Sequence, residues 1–424
     1  MSANTSPSLE KDLAADQTPR ALADLRILDL SRILAGPWCT QNLADLGAEV
    51  IKIERPGKGD DTRAWGPPWL PNEAPGSQRD SSYYSAANRG KKSVTVDITT
   101  VEGQEIIHAL VKNCDVVVEN FKVGNLKKYG LDYDTLRNIN PAIIYCSITG
   151  FGQTGPYAHR PGYDFVFQGM GGMMSITGER DDLPGGGPQK VGIALADIVT
   201  GMYATTAILA AVHYRSRTGQ GQHIDMALLD SIVALGSNQV TAFFAAGDIP
   251  KRMGNAHMSL VPYGVYPTRN GHIIIAIGND QQWMRFCELI ERPDLASDQT
   301  YATVSGRIIN RTDLDAQLII SLKKQDSDTW LRLLEQGGVP CGPINNYSEV
   351  FQNPQVQHRQ LHVRQERHDG ARIDSAASPL RLSETPPAYD LPPPIVGQHT
   401  DEVLQAVLDM SSERLAQLRA RRIL

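Results

Sequence analysis

Between residues 26 and 148, short apolar runs alternate with stretches of helical period. Arg26-Ile27-Leu28-Asp29-Leu30 reads as a buried strand. Ala35-Gly36-Pro37 then turns the chain into a helical pattern over residues 38–46, carried by Leu43 and Leu46 and closed by Gly47. Val50-Ile51-Lys52-Ile53-Glu54 is the next strand. A strand, a crossover helix and a second strand imply parallel pairing with a right-handed connection. The alternation continues with strands over 93–98, 115–119 and 143–148 and helices over 102–111 and 133–138. This predicts a doubly wound α/β domain with ligands outside the carboxyl ends of its strands.

The second half of the chain reads differently. Residues 194–216 form a long apolar helix ending at Arg217-Thr218-Gly219-Gln220-Gly221, and residues 225–246 form another. Tyr263 to Tyr266 and His272 to Gly278, joined around Asn270-Gly271, predict a β-hairpin. With helices over 280–290 and 326–337, this makes a smaller α+β domain. Beyond Gly337-Gly338 the pattern is irregular, with Pro386-Pro387 and Pro392-Pro393-Pro394 marking extended chain. Two short helices, 400–409 and 411–421, follow. The expected division is a mobile tail over 1–22, a large domain over 23–225, a linker helix and small domain over 226–335, and a segment over 336–424 returning to the large domain.

Charge and motifs exclude several functions. A net charge of -6 offers no global attraction to nucleic acid or an anionic membrane. No uninterrupted apolar run reaches the ~18 residues of a bilayer span. The five cysteines are scattered with no C-x-x-C, so reduced thiols and no zinc site are expected. His358 and His362 stand four apart without the acid of a zinc-protease helix, and no metal is expected. The first βα turn has one glycine, Gly36, which removes the dinucleotide fingerprint, and there is no P-loop or G-x-S-x-G elbow. The first twenty residues carry Glu10, Asp12 and Asp16 and lack the apolar core of a secretory leader. A cytoplasmic location is expected.

One stretch suggests chemistry. Arg160-Pro161-Gly162-Tyr163-Asp164 follows a turn-rich passage and precedes Gly169, Gly171 and Gly172. A carboxylate in such a loop serves as a turn former or helix N-cap. Less often it is a nucleophile, with glycine admitting a bulky substrate and backbone N–H groups at 169–172 stabilising oxyanions. The residues alone leave both readings open.

Several stretches together resemble the class III CoA-transferases. They are Leu28-Asp29-Leu30-Ser31-Arg32-Ile33-Leu34-Ala35-Gly36-Pro37, Leu43 through Pro56, Gly59-Asp60-Asp61-Thr62-Arg63, Asn88-Arg89-Gly90-Lys91-Lys92-Ser93, Val118-Glu119-Asn120-Phe121 and Gly162-Tyr163-Asp164. The succinate–hydroxymethylglutarate (glutaryl-) branch is the most similar, through Trp65-Gly66-Pro67-Pro68, Tyr145 through Pro156 and Gly342-Pro343-Ile344-Asn345-Asn346. The resemblance implies a Rossmann-like large domain with an inserted smaller α+β domain, in an interlocked-ring homodimer. It implies acyl-CoA and carboxylic acids as substrates, no permanently bound cofactor, and transfer through aspartyl anhydride and aspartyl-CoA intermediates. The related α-methylacyl-CoA racemases are the alternative. They tend to carry Gly-His-Asp where this chain has Gly162-Tyr163-Asp164.

The implied nucleophile is Asp164, and the implied CoA-binding residues are Arg55, Lys91, Asn120, Phe121 and Lys128. Arg32, Gln41, Arg63, Arg160, Gly171, Gly172 and His257 are candidates toward the acyl substrate. The arginines are included because a guanidinium matches the second carboxylate of a dicarboxylic acid. Where formyl-CoA transferases carry a four-glycine loop, this chain reads Gly254 through Gly264 with His257 inside. Formate and oxalate are therefore not the expected substrates.

Overall fold

A computed structural model of the chain describes residues 19–70 and 79–424. The expected tail lies outside the described residues as far as residue 18. At residue 22 the chain is already anchored, the Leu22 N–H donating to the Leu46 carbonyl at 3.1 Å. The chain divides into two compact units. One holds residues through Tyr163, Ala196–Ser231 and Leu361–Leu424; the other holds Asp164–Leu195 and Ile232–Gln360.

The first unit is built on six strands: β1 (Arg26–Asp29), β2 (Glu49–Glu54), β3 (Lys91–Thr95), β4 (Val116–Glu119), β5 (Ile144–Thr149) and β6 (His223–Ala227). All pair in parallel, in the order β3-β2-β1-β4-β5-β6. Such strands are apolar on both faces and bury almost completely, as Ile27, Leu28, Val116, Val117 and Ile144 do. The order reverses between β1 and β4, which opens a crevice at their carboxyl ends. β6 corrects the expectation of a helix over 225–246. Its outward residues His223 and Asp225 are exposed, as an edge strand allows, and helices Leu228–Leu235 and Ser237–Ala246 follow it, separated at Gly236.

The other edge, β3, is covered from far along the chain. The Thr95 N–H donates to Thr400 Oγ1 at 3.0 Å, and the Ser93 N–H to His399 Nδ1 at 3.2 Å. Val403, Leu404, Leu415 and Leu418 join the core of this unit. Helix Leu195–Thr218 is the long apolar helix expected over 194–216. Its mean hydropathy reaches 1.6 over 18 residues, enough by composition to cross a bilayer. Ala196, Thr200, Gly201, Ala204, Ile208 and Ala211 form a buried stripe at helical spacing, so one face is spent on the protein.

In the second unit the expected hairpin is β7 (Tyr263–Pro267) with β8 (His272–Ala276), antiparallel. A third strand, β9 (Cys341–Pro343), pairs with β8. The helices pack around Trp283, Phe286, Leu318, Trp330 and Leu334. Because β9 belongs to this sheet, the boundary expected at 336 falls at Leu361 instead. The segment expected to be irregular contains a further hairpin, β10 (His362–Glu366) with β11 (Arg372–Ala376), turning through Asp369-Gly370.

Candidate functional site

The crevice between β1 and β4 is held by a side-chain latch. Asn120, just after β4, accepts the Arg32 N–H at 2.9 Å and donates Nδ2–H to the Arg32 carbonyl at 2.6 Å. The next residue, Ile33, sits at φ 71, a left-handed conformation that a β-branched residue adopts only under constraint. Such strain costs on the order of 1–3 kcal/mol and persists where the surroundings over-determine it. Here Asn120 fixes one side, and Asp60 Oδ1 accepts the Ile33 N–H at 3.3 Å. Asn120, expected to contact CoA, thus spends its amide on the β1 turn while lining the crevice.

Two cavities meet at this turn, sharing Arg32 and Phe121. One, of about 150 Å³, opens over β2 and β3 and is walled by Arg55, Val96, Thr99 and Tyr129. The other, of about 350 Å³, opens over β4 and β5 and runs past Thr149 and Arg160 to Tyr163. Both belong to the first unit. Arg55 and Lys128 are exposed, with Lys128 Nζ 4.7 Å from the centroid of the Tyr129 ring. Phe121 lies under the Arg32 guanidinium, 5.2 Å from ring centroid to Cζ. Of the expected CoA-binding residues, Arg55 and Phe121 line the smaller cavity and Asn120 and Phe121 the larger, while Lys128 lines neither and stands against Tyr129, a wall of the smaller one.

Lys91 does not join them. It opens β3 rather than closing a strand, and its buried Nζ bonds Asp29, Asn88 and the Pro37 carbonyl. Arg63 is also withdrawn from any substrate. Its guanidinium binds Glu54 through two nitrogens at 2.9 and 2.7 Å, Asp80 at 3.0 Å and the Tyr84 hydroxyl at 2.6 Å. Gln41 is buried too, bonding the Ala86 carbonyl and the Arg89 N–H. All three were expected at the ligand and serve the interior instead. Lys52, Glu54 and Asp60, which back the smaller cavity, are members of the same buried ion network.

The arginine candidates separate cleanly. Arg32 is paired with Asp61 at 2.7 Å. Arg160 forms no ion pair with a described residue; its Cζ lies 4.4 Å from the Tyr157 ring centroid and 5.4 Å from that of Phe151. Cation–π contact orients a guanidinium without neutralising it. Arg160 and Tyr163 line the larger cavity, and Asp164 is the next residue in the chain.

Asp164 opens the helix Asp164–Met170 of the second unit, and its Oδ2 accepts Gln168 Nε2–H at 2.7 Å. Gln168 was not singled out in the sequence, although spacing of four on a helix puts the two side chains on one face. Two of the glycine N–H groups expected to face an oxyanion are used within the chain. The Gly171 N–H is used by the Phe167 carbonyl at 2.8 Å and that of Gly172 by the Gly169 carbonyl at 3.3 Å. A Cβ on Gly171 would lie 2.3 Å from Ile232 Cγ2, so this glycine serves close packing. His257 holds its own loop, its Nδ1 accepting the Ser259 N–H at 3.0 Å.

Glu119, beside Asn120, is a buried acid that the sequence reading did not single out. It closes β4, is 5% exposed, and accepts the Phe121 N–H at 2.7 Å. Burial pushes its carboxyl up to about 7, and hydrogen bonds from Ser147 and Phe121 offset only part of this. Between its ordinary 4.5 and about 7 the folded state binds the proton that the unfolded chain has lost. Its contribution to stability is thus complete below 4.5 and disappears as pH rises through about 7. Glu119→Gln removes that loss. Relative to the natural protein, the variant should gain about 3 kcal/mol more at pH 8 than at pH 4.5. Denaturation midpoints at the two pH values test this, and an equal offset at both would refute it.

The fold defines an α/β protein with a crevice at the strand-order reversal of its parallel sheet, lined by Arg32, Asn120, Phe121 and Arg160. Comparison with known proteins makes this specific. The model of CoA-transferase family III matches residues 22–400, and the chain belongs to that family. It is 48% identical over 383 residues to the succinate–glutarate CoA-transferase of Agrobacterium fabrum, covering 90% of this chain and 94% of the relative. The human succinyl-CoA:glutarate CoA-transferase is 42% identical over 399 residues, 94% and 89% of the two chains. The crystal structure of a CaiB/BaiF family protein from Brucella suis superposes with a TM-score of 0.82 at 46% identity, covering 92% of this chain and 100% of that one. The protein is a CoA-transferase, with CoA thioesters as its substrates.

Proposed function

We propose that the enzyme moves CoA between succinyl-CoA and a second dicarboxylic acid, with Asp164 as the covalent carrier. The observation that carries this reading is the crevice itself, in which a cavity beginning at Arg32 and Phe121 runs past Arg160 to Tyr163, the neighbour of Asp164. The nucleotide half of the thioester lies at Arg55, Lys128 and Phe121, and the acyl half extends toward Arg160. The relatives' dicarboxylate substrates agree with an unneutralised guanidinium at that end. Exchange without loss of thioester energy needs a nucleophile that is itself a carboxylate, because the anhydride and thioester it forms preserve that energy.

A panel of acceptor acids assayed with succinyl-CoA tests the function. Dicarboxylates of four to six carbons should be accepted and monocarboxylates of equal length should not; the reverse order would defeat the proposal. Arg160→Met keeps the stem and removes the charge. It should lower kcat/KM for dicarboxylates by roughly 10- to 100-fold, with less than about a twofold change for any monocarboxylate the enzyme accepts.

A further inference from the structure

Gln168 is fully buried, and its amide has one orientation open to it. Oε1 accepts the Val191 N–H at 2.9 Å, while Nε2 donates to the Ile193 carbonyl at 3.2 Å and to Asp164 Oδ2 at 2.7 Å. A backbone N–H only donates and a backbone carbonyl only accepts. Turning the amide over would set donor against donor at Val191 and acceptor against acceptor at Ile193. The segment 191–193 therefore commits one Gln168 N–H to Asp164 Oδ2. The glycine N–H groups at 171 and 172, which the sequence suggested for oxyanion binding, are already used within the chain.

We propose that Gln168 is a catalytic residue whose Nε2–H stabilises the oxyanion formed when the aspartyl carbonyl is attacked. This rests on the reading of Asp164 as nucleophile. In the first step Asp164 Oδ1 adds to the thioester carbon. The C–S bond breaks and sulfur leaves with the bonding pair, giving an anhydride and CoA thiolate. Oδ1 is now the bridging oxygen, and Oδ2 the carbonyl oxygen on Cγ. The thiolate adds to Cγ, forming a C–S bond and moving the carbonyl π pair onto Oδ2. That charge develops on the oxygen the Gln168 N–H already holds. Collapse returns the pair, breaks Cγ–Oδ1 and releases the donor acid as its carboxylate. One negative charge enters as thiolate and one leaves as carboxylate, with no external proton or oxidant. The acceptor acid meets the same donor when it attacks the aspartyl thioester.

Gln168→Met keeps length and bulk but has no donor. Loss of one such donor should lower kcat roughly 100-fold, with KM for succinyl-CoA little changed. Rapid-quench mass spectrometry of enzyme mixed with succinyl-CoA alone should show CoA accumulating on Asp164 correspondingly more slowly. Gln168→Glu retains an acceptor for Val191 but sets a second carboxylate against Oδ2, so it should lose more than the methionine variant. Thermal melts report folding. If Gln168→Met melts below the assay temperature, Gln168→Leu, which also lacks a donor, is read by the same rate. A folded variant without the donor that forms the aspartyl thioester at the natural rate overturns the proposal. A natural enzyme that never carries CoA on Asp164 overturns the nucleophile reading instead, and this proposal with it.

Discussion

Asp164→Ala should lower turnover by on the order of 10⁴-fold or more, as removal of a covalent nucleophile does elsewhere. Binding of acyl-CoA should survive, because the groups proposed to hold it, Arg55, Lys128 and Phe121, belong to the first unit, and Arg55 and Phe121 line its switch-point crevice. Alanine is also well tolerated at a helical position, so folding should be spared. Steady-state turnover and calorimetric binding of succinyl-CoA separate the two effects. The same variant should lose hydroxylamine trapping, since anhydride and aspartyl thioester both yield a hydroxamate on Asp164 in the natural enzyme. Turnover near the natural value would exclude the covalent route through this residue.

The second large effect concerns stability. Arg63 is 2% exposed and neutralises Glu54 and Asp80 together, while Arg367, from the last third of the chain, binds the other oxygen of Asp80 at 2.6 Å. Arg63→Met would leave two buried carboxylates short of a partner. Breaking a buried pair from one side costs about 3–5 kcal/mol, far more than an exposed pair is worth. Arg63→Lys should recover little of this, because a single ammonium cannot bind Glu54 through two nitrogens while reaching Asp80 and the Tyr84 hydroxyl. Burial drives the Glu54 carboxyl up, but Arg63, with Lys52 and Ser93, holds it below its ordinary 4.5. Its contribution in the natural protein is therefore full above pH 4.5 and is lost as pH falls through the depressed value. The variant's deficit, read as a shift in denaturation midpoint, should be large at pH 7 and shrink in acid. A variant as stable as the natural protein at pH 7 would show that the network is dispensable.

The first five strands and the aspartate loop were legible in the sequence because their signals are local. Apolar runs such as Val116–Glu119 need no partner to be recognised, and Gly162-Tyr163-Asp164 is contiguous. β6 was missed because an edge strand with outward His223 and Asp225 has the polarity of a helix start. The ranking of arginines was not legible at all. Arg32, Arg63 and Arg160 are chemically alike, and what separates them is Asp61 beside the first, Glu54 and Asp80 around the second, and aromatic rings beside the third. Lys91 misled for the same reason, as its partner Asp29 stands 62 residues earlier. Gln168 was within reach, one helical turn from Asp164, but the Val191 and Ile193 groups that fix its amide come from a later loop.

The closure of β3 by His399 and Thr400 sets a clock on biosynthesis. Thr95 and Thr400 are 305 positions apart, so a ribosome adding about 5–20 residues each second leaves that strand without its outer neighbour for roughly 15–60 s. Throughout that interval the nascent polypeptide presents open amide and carbonyl groups on β3. Lys92 gives that margin a charge of the kind that discourages chance annealing to other chains. Messages truncated just upstream of codon 399 would therefore yield a product with most of its sheet and a permanently unfinished border.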